Sequence, residues 1–166
     1  MATCRRFDPS LTGSDTKELT FRLMNVPGFL PDVLHDYKRM MLEYQHMMET
    51  CCQPFAMVCP DNKMGGAFFL GDVSPGHEGT LFVWIWDPRC YTATTRKFLD
   101  GYVEHFAEDM ALARMVCRTP DDGKLGRLLE RMGFKLEGRF RNGWKGGGRL
   151  SPLYQYRKLF RVVGGS

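Results

Sequence analysis

The stretch RLLERMGFKLEGRFRNGW, residues 127–144, carries a helix, its stop signal and the strand that follows. Leu125, Leu128, Leu129 and Met132 recur at helical spacing. Gly133 comes next, where a left-handed residue turns a chain out of a helix and glycine has no Cβ to clash. Phe134 to Phe140 reads as a strand, and Gly138 inside it marks a bend or bulge. Upstream, Thr119-Pro120-Asp121-Asp122 reads as a helix start, with Thr119 as N-cap and Pro120 in the first turn. Downstream, RNGWKGGGR at 141–149 reads as a Gly-rich hairpin connection, returning through a last strand from Pro152 to Phe160.

Working back from this junction, Ala111 to Cys117 is strand-like, and Phe98, Leu99, Tyr102, Val103 and Phe106 mark one face of a helix over about 92–109. Three apolar runs precede it: Pro54 to Cys59, Gly65 to Gly71 and Thr80 to Asp87. The turns Pro60-Asp61-Asn62 and SPGHEG at 74–79 separate them, which predicts an antiparallel meander. A 3.6-residue period from Pro31 through Met48 predicts a helix over 31–50. Residues 4–7 add a first strand. The order is helix, three strands, helix, strand, helix, two strands. It predicts an α/β (α+β) protein, a mixed, mostly antiparallel twisted sheet flanked by helices, in one domain over 1–166.

Bulk properties narrow the class. A hydrophobic fraction of 43% over 166 residues suffices for a real core, and a net charge of +4 is too mild for a nucleic-acid-binding tail. The first ten residues have no apolar stretch, and the apolar run from Leu81 to Trp86 is too short to cross a bilayer. A soluble, cytoplasmic protein is the expectation. The six cysteines include no CxxC, so they read as reduced thiols rather than a metal or disulfide framework. His35, His46 and His105 fall on predicted helices without ligand spacing.

The element order resembles the GNAT superfamily of N-acetyltransferases over roughly residues 30–160. LGRLLERMGFKLEGR at 125–139 is similar to the ribosomal-protein-alanine acetyltransferase branch, with Leu129, Glu130, Gly133, Phe134, Glu137 and Gly138 at the branch's pattern positions. The resemblance implies a loop after the fourth strand that holds the coenzyme pyrophosphate, of pattern Arg/Gln-x-x-Gly-x-Gly/Ala. Arg89 stands at its first position, and Thr92 and Thr94 stand where glycines are expected. Thr92, Thr94 and Thr95 then offer hydroxyls and amides to phosphate, and Arg89, Arg96 and Lys97 add charge. The competing reading makes Thr92 or Thr94 a helix N-cap. Asp122 falls where the superfamily often has Asn beside the coenzyme arm. Leu129 occupies the position of the tyrosine that protonates the leaving thiolate in many members.

Acyl transfer to an amine needs a base, a donor to the developing oxyanion and a protonated leaving group. The fold implied here supplies the oxyanion donor as a backbone amide of the fourth strand, placed near Trp84 to Asp87. Candidate bases are Glu78 and Asp87 at the two ends of that strand, with His77 beside Glu78. The implied function is acetyl transfer from acetyl-CoA to an amine of a protein or small molecule. The alternative is a phage-encoded protein that kept the fold, in host cytoplasm or virion, and acts as an assembly or interaction factor. In that case Trp144, flanked by Arg141, Lys145 and Arg149, is an exposed protein-binding surface. No RNA-binding motif is present. The discriminating feature is whether the loop at 88–95 borders an open cleft between the strands at 80–87 and 111–117.

Overall fold

Residues 1–26, 29–34, 36–120, 123–146 and 148–161 are described by the computed structural model. Among the described residues seven strands and four α-helices follow one another as β1 (Thr3–Arg6), α1 (Ser14–Asn25), α2 (Tyr37–Thr50), β2 (Phe55–Val58), β3 (Met64–Ser74), β4 (Glu78–Ile85), α3 (Ala93–Asp109), β5 (Arg114–Thr119), α4 (Lys124–Arg131), β6 (Lys135–Gly146) and β7 (Arg149–Leu159). The sheet order is β1-β2-β3-β4-β5-β7-β6. Every pairing is antiparallel except that of β4 with β5. The predicted meander, the terminal strand and the mixed sheet are all present.

Helices cover both faces. On one, Leu99 and Val103 of α3 and Leu128 and Leu129 of α4 pack with Leu81 and Val83 of β4. On the other, Leu19 and Leu23 of α1 and Met40 and Tyr44 of α2 pack with Ala56 and Ala67, against which Trp84 and Trp86 lie. Side chains of β4 therefore alternate between the two cores, as a strand's period of two requires.

The 127–144 junction forms as its residues dictate. Gly133 has φ +86, and the amide of Phe134 donates to the Leu129 carbonyl at 3.0 Å, satisfying an end-of-helix acceptor. Phe134 is buried. The register slips between Leu136 and Gly138, so Glu137 bulges out of the ladder. Its carboxylate accepts from Gln155 at 2.7 Å and pairs with Arg157 at 3.4 Å.

Four expectations change. Helix α1 lies where none was predicted. The helix expected from Pro31 starts at Tyr37, after a separate 3₁₀ turn over Asp32–Leu34, because Asp36 accepts from the Arg39 amide and caps it there. Thr119 is not an N-cap: it ends β5 opposite Tyr154, and α4 begins after Gly123 without a side-chain cap. The connection within 141–149 is shorter than expected: β6 runs on to Gly146 and β7 begins at Arg149, and three residues, 141–143, stand opposite Pro152 alone. Proline has no N–H to give a ladder, so the chain across from it bulges, with Asn142 at φ 54.

Candidate active site

Strands β4 and β5 pair only at Glu78–Arg114, Gly79–Met115 and Thr80–Val116. Beyond Thr80 they part, while β4 stays paired with β3 and β5 with β7. A cavity of about 750 Å³ occupies the opening. Leu81 and Val83, which point to the α3/α4 face, and Phe82 and Trp84, which point to the other, all line it. The cavity therefore passes through the sheet, along an edge of β4 that has no strand beside it.

That edge presents unpaired amides. Both the Trp86 and Asp87 amides donate to the Gly65 carbonyl at 3.0 Å, so neither is free for an oxyanion. Hydrogen-bonding direction alternates along a strand paired on one side. Trp84 and Phe82 share Trp86's orientation toward β3, which turns the amides of Ile85 and Val83 toward the gap, while that of Leu81 falls within the Thr80–Val116 bridge to β5. Within the expected window of Trp84 to Asp87, Ile85 has its amide toward the gap, and so does Val83 just before the window.

At the α3 end, Thr92 caps the helix. Its Oγ1 accepts from the Thr95 amide at 3.2 Å and donates to Thr95 Oγ1 at 3.1 Å. Thr95 is buried and Thr94 exposed, its hydroxyl donating to Met1 Sδ. Among the described residues the amides of Ala93 and Thr94 have no protein acceptor, so the first turn of α3 offers two open N–H donors. Arg89 turns away, to Asp87 at 2.8 Å and Asp61 at 3.2 Å. Tyr91 lines the cavity without closing it, and the Trp86 indole is held off by the Met64 carbonyl at 3.0 Å. The cleft is open.

Glu78 and Asp87 do not line it. Glu78 sits at the closed end of the gap, ion-paired with Arg114. The Asp87 carboxylate, which also accepts from the Arg89 amide, is held well below the usual carboxylate range, chiefly by the Arg89 guanidinium. It borders a separate polar depression with Arg5 and Lys63. Asp122 lies outside the described residues. Leu129 is fully buried, and Leu125, one turn earlier, reaches the cavity instead.

Sequence reasoning assigned no site role to the polar residues of the cavity wall: Glu43 and His46 on α2, Asp72 on β3 at φ 47, Thr80 on β4, and Arg118 and Thr119 on β5. The signal available for the first two was their i, i+3 spacing on a helix with exposed polar positions. Trp144 was also misread. It is half-buried in the wall, and its buried Nε1 has no acceptor among the described residues. The tip of the β6–β7 arm is tied to the 3₁₀ turn before α2 by the Gly148 amide, which donates to Asp32 at 3.1 Å.

No family model matches the chain, and no curated protein matches its sequence. Solved structures do match its fold. The Salmonella typhimurium protein yncA, solved with its cofactor acetyl-CoA, superposes with a TM-score of 0.72 at 14% identity, over 100% of this chain and 98% of that one. The fold is that of the GNAT acetyltransferases. RimL, a ribosomal L7/L12 alpha-N-protein acetyltransferase in complex with coenzyme A, gives a TM-score of 0.69 at 15% identity, over 95% and 93% of the two chains. A ribosomal-protein-S5-alanine acetyltransferase from Vibrio fischeri gives 0.66 at 16%, over 95% and 92%. The GNAT fold accounts for the single parallel pair, the gap beyond it and the helix that starts beside it. Among the described residues no helix is long and apolar enough to cross a membrane.

Proposed function

We propose that this chain is an acyl-CoA-dependent N-acyltransferase that moves an acetyl group from acetyl-CoA to a primary amine. The observation that carries this is the cavity through the sheet, which opens beside two unpaired amides at the start of α3. A thioester arm threaded into the gap would extend the β4 ladder, accepting from the Val83 and Ile85 amides. These donors are fixed in place before reaction, which is what stabilisation of a developing oxyanion requires. The Ala93 and Thr94 amides would hold pyrophosphate oxygens at a helix N-terminus, with Arg96 and Lys97 adding charge. Glycines at positions 92 and 94 are not needed for that contact if the phosphates sit over the first turn rather than against the loop.

The structural neighbours solved with coenzyme A or acetyl-CoA support the cosubstrate. We place proton removal at His46, which faces the cavity from α2 with Glu43 one turn away. An imidazole can take a proton from an ammonium near neutral pH. A second reading, a protein that kept the fold and lost the chemistry, draws on the ion pairs that hold Arg89 and on the hydroxyls of Thr92 and Thr95, which bond within the helix.

Thermal unfolding with acetyl-CoA, CoA and ATP separates the two readings. A ligand at about a hundred times its Kd adds roughly 2.7 kcal/mol to the native state. At roughly 2–4 °C per kcal/mol for a chain of this size, Tm rises by several degrees. The enzyme reading expects that rise with acetyl-CoA and CoA but not ATP. Equal Tm values with and without saturating acetyl-CoA would overturn it.

A further inference from the structure

The transferase reading leaves the amine open, and the inference below rests on that reading. The acceptor must enter from the face of the sheet opposite α3 and α4, because the α3/α4 side of the gap meets the start of α3. On that entry side the wall is apolar and aromatic. Phe82 and Trp84 project from β4, Phe29 and Leu30 come from the segment between α1 and α2, and Trp144 and Leu153 come from the β6–β7 arm. Flat rings on two sides of a cavity favour an apolar body a few ångströms thick.

Charge on this wall is sparse. Among the described lining residues the carboxylates are Glu43 and Asp72. Arg118 lines it as well, and its Nε donation to Gln155 at 2.7 Å, a neutral amide, leaves the guanidinium charge in place. Two carboxylates against one guanidinium suit a single ammonium. A polyamine would bring several ammonium groups past Phe82, Trp84 and Trp144, where they would lose water without gaining a counter-charge. An extended peptide needs partners for its backbone, and the aromatic wall supplies none to its second and third residues.

We propose that the acceptor is a hydrophobic monoamine, an aryl-alkyl or alkyl primary amine. Glu43 and Asp72 draw in its ammonium, and Phe82, Trp84 and Trp144 enclose its body. His46 takes one proton from the ammonium. The nitrogen lone pair then forms a C–N bond to the thioester carbonyl carbon, the C–S bond breaks, and the second N–H proton ends on the departing sulfur. The products are a neutral amide and a free thiol. Loss of the positive charge removes the attraction to Glu43 and Asp72, so the same carboxylates that admit the amine release the amide.

The test uses the full chain and four acceptors: phenethylamine, octylamine, spermidine and a short peptide with a free N-terminal alanine. Acetylated product is read by mass spectrometry, and binding of acetyl-CoA and of phenethylamine by separate calorimetric titrations. The expected result is kcat/KM for phenethylamine and octylamine about tenfold or more above that for spermidine or peptide. Glu43→Gln should raise KM for phenethylamine several-fold and leave acetyl-CoA affinity unchanged. Preference for spermidine or the peptide overturns the acceptor assignment. So does saturable acetyl-CoA binding with no response to phenethylamine, in which case the transferase reading stands without it. Absence of acetyl-CoA binding removes both.

Discussion

The two faces of the sheet are built differently. The α3/α4 face is a continuous apolar core, with Leu99, Val103, Leu129 and Phe134 almost wholly shielded. The α1/α2 face is held by polar hooks. Asp15, 4% exposed, receives two hydrogen bonds of 2.7 Å from Arg5 and one of 2.9 Å from the Asp8 amide. The buried Tyr44 hydroxyl and Thr16 Oγ1 lie 2.7 Å apart, and burial pushes the phenol up to about 12. The rest of that face is rich in methionine, which fits irregular space. One face fixes the edge of β4 and the start of α3. The other carries most of the cavity's wall, and its hooks set the shape without filling it.

The largest test of this contrast is Leu129→Ala. Truncating a fully buried leucine in the tight face should cost about 3 kcal/mol in chemical denaturation. Next, His46→Asn on the other face should lower kcat about a hundredfold, some 2.7 kcal/mol of barrier, with Tm unchanged. A loss of stability without a loss of rate would reverse the assignment of the two faces.

Asp15→Asn should cost about 2 kcal/mol at neutral pH. Its folded-state pKa is lowered, first by the hydrogen bonds from Arg5. The contribution is therefore full above the unfolded carboxylate value and is lost as pH falls through the folded one. The variant should show a flatter decline of stability in acid than the parent. Smallest is Thr92→Ala, about 1 kcal/mol from the lost N-cap of α3. It should weaken acetyl-CoA binding only modestly, since the amides of Ala93 and Thr94 stay in place.

The same asymmetry explains what could be read from residues alone. Helix α4 and strand β6 announce themselves through Leu125, Leu128, Leu129, Gly133 and Phe134, which are local rules acting on neighbouring residues. Helix α1 does not. Its buried face is Asp15, Thr16, Leu19, Thr20 and Leu23, and three of those five are polar, so no apolar stripe betrays it. Thr119-Pro120 has the composition of a helix start, but Thr119 pairs across to Tyr154, and sheet pairing overrides a cap preference. Asn142-Gly143 has the composition of a hairpin turn and serves as a bulge, because Pro152 stands opposite. That displacement of the turn is what brings Trp144 into the cavity wall. Of the site's polar residues, Glu43 and His46 come from α2 and Asp72 from β3, and only the packing of α2 over the sheet places these three on one cavity with Thr80, Arg118 and Thr119.

The central claim is that the opening between β4 and β5 is where acetyl-CoA lies. Amide chemical shifts of the nitrogen-15-labelled protein, recorded as acetyl-CoA is added, test it most directly. The account predicts that Val83, Ile85, Ala93 and Thr94 move most and saturate together, while the amides of Arg5 and Lys63 at the polar depression stay still. Saturating shifts at Arg5 and Lys63 with Val83, Ile85, Ala93 and Thr94 unmoved would contradict it.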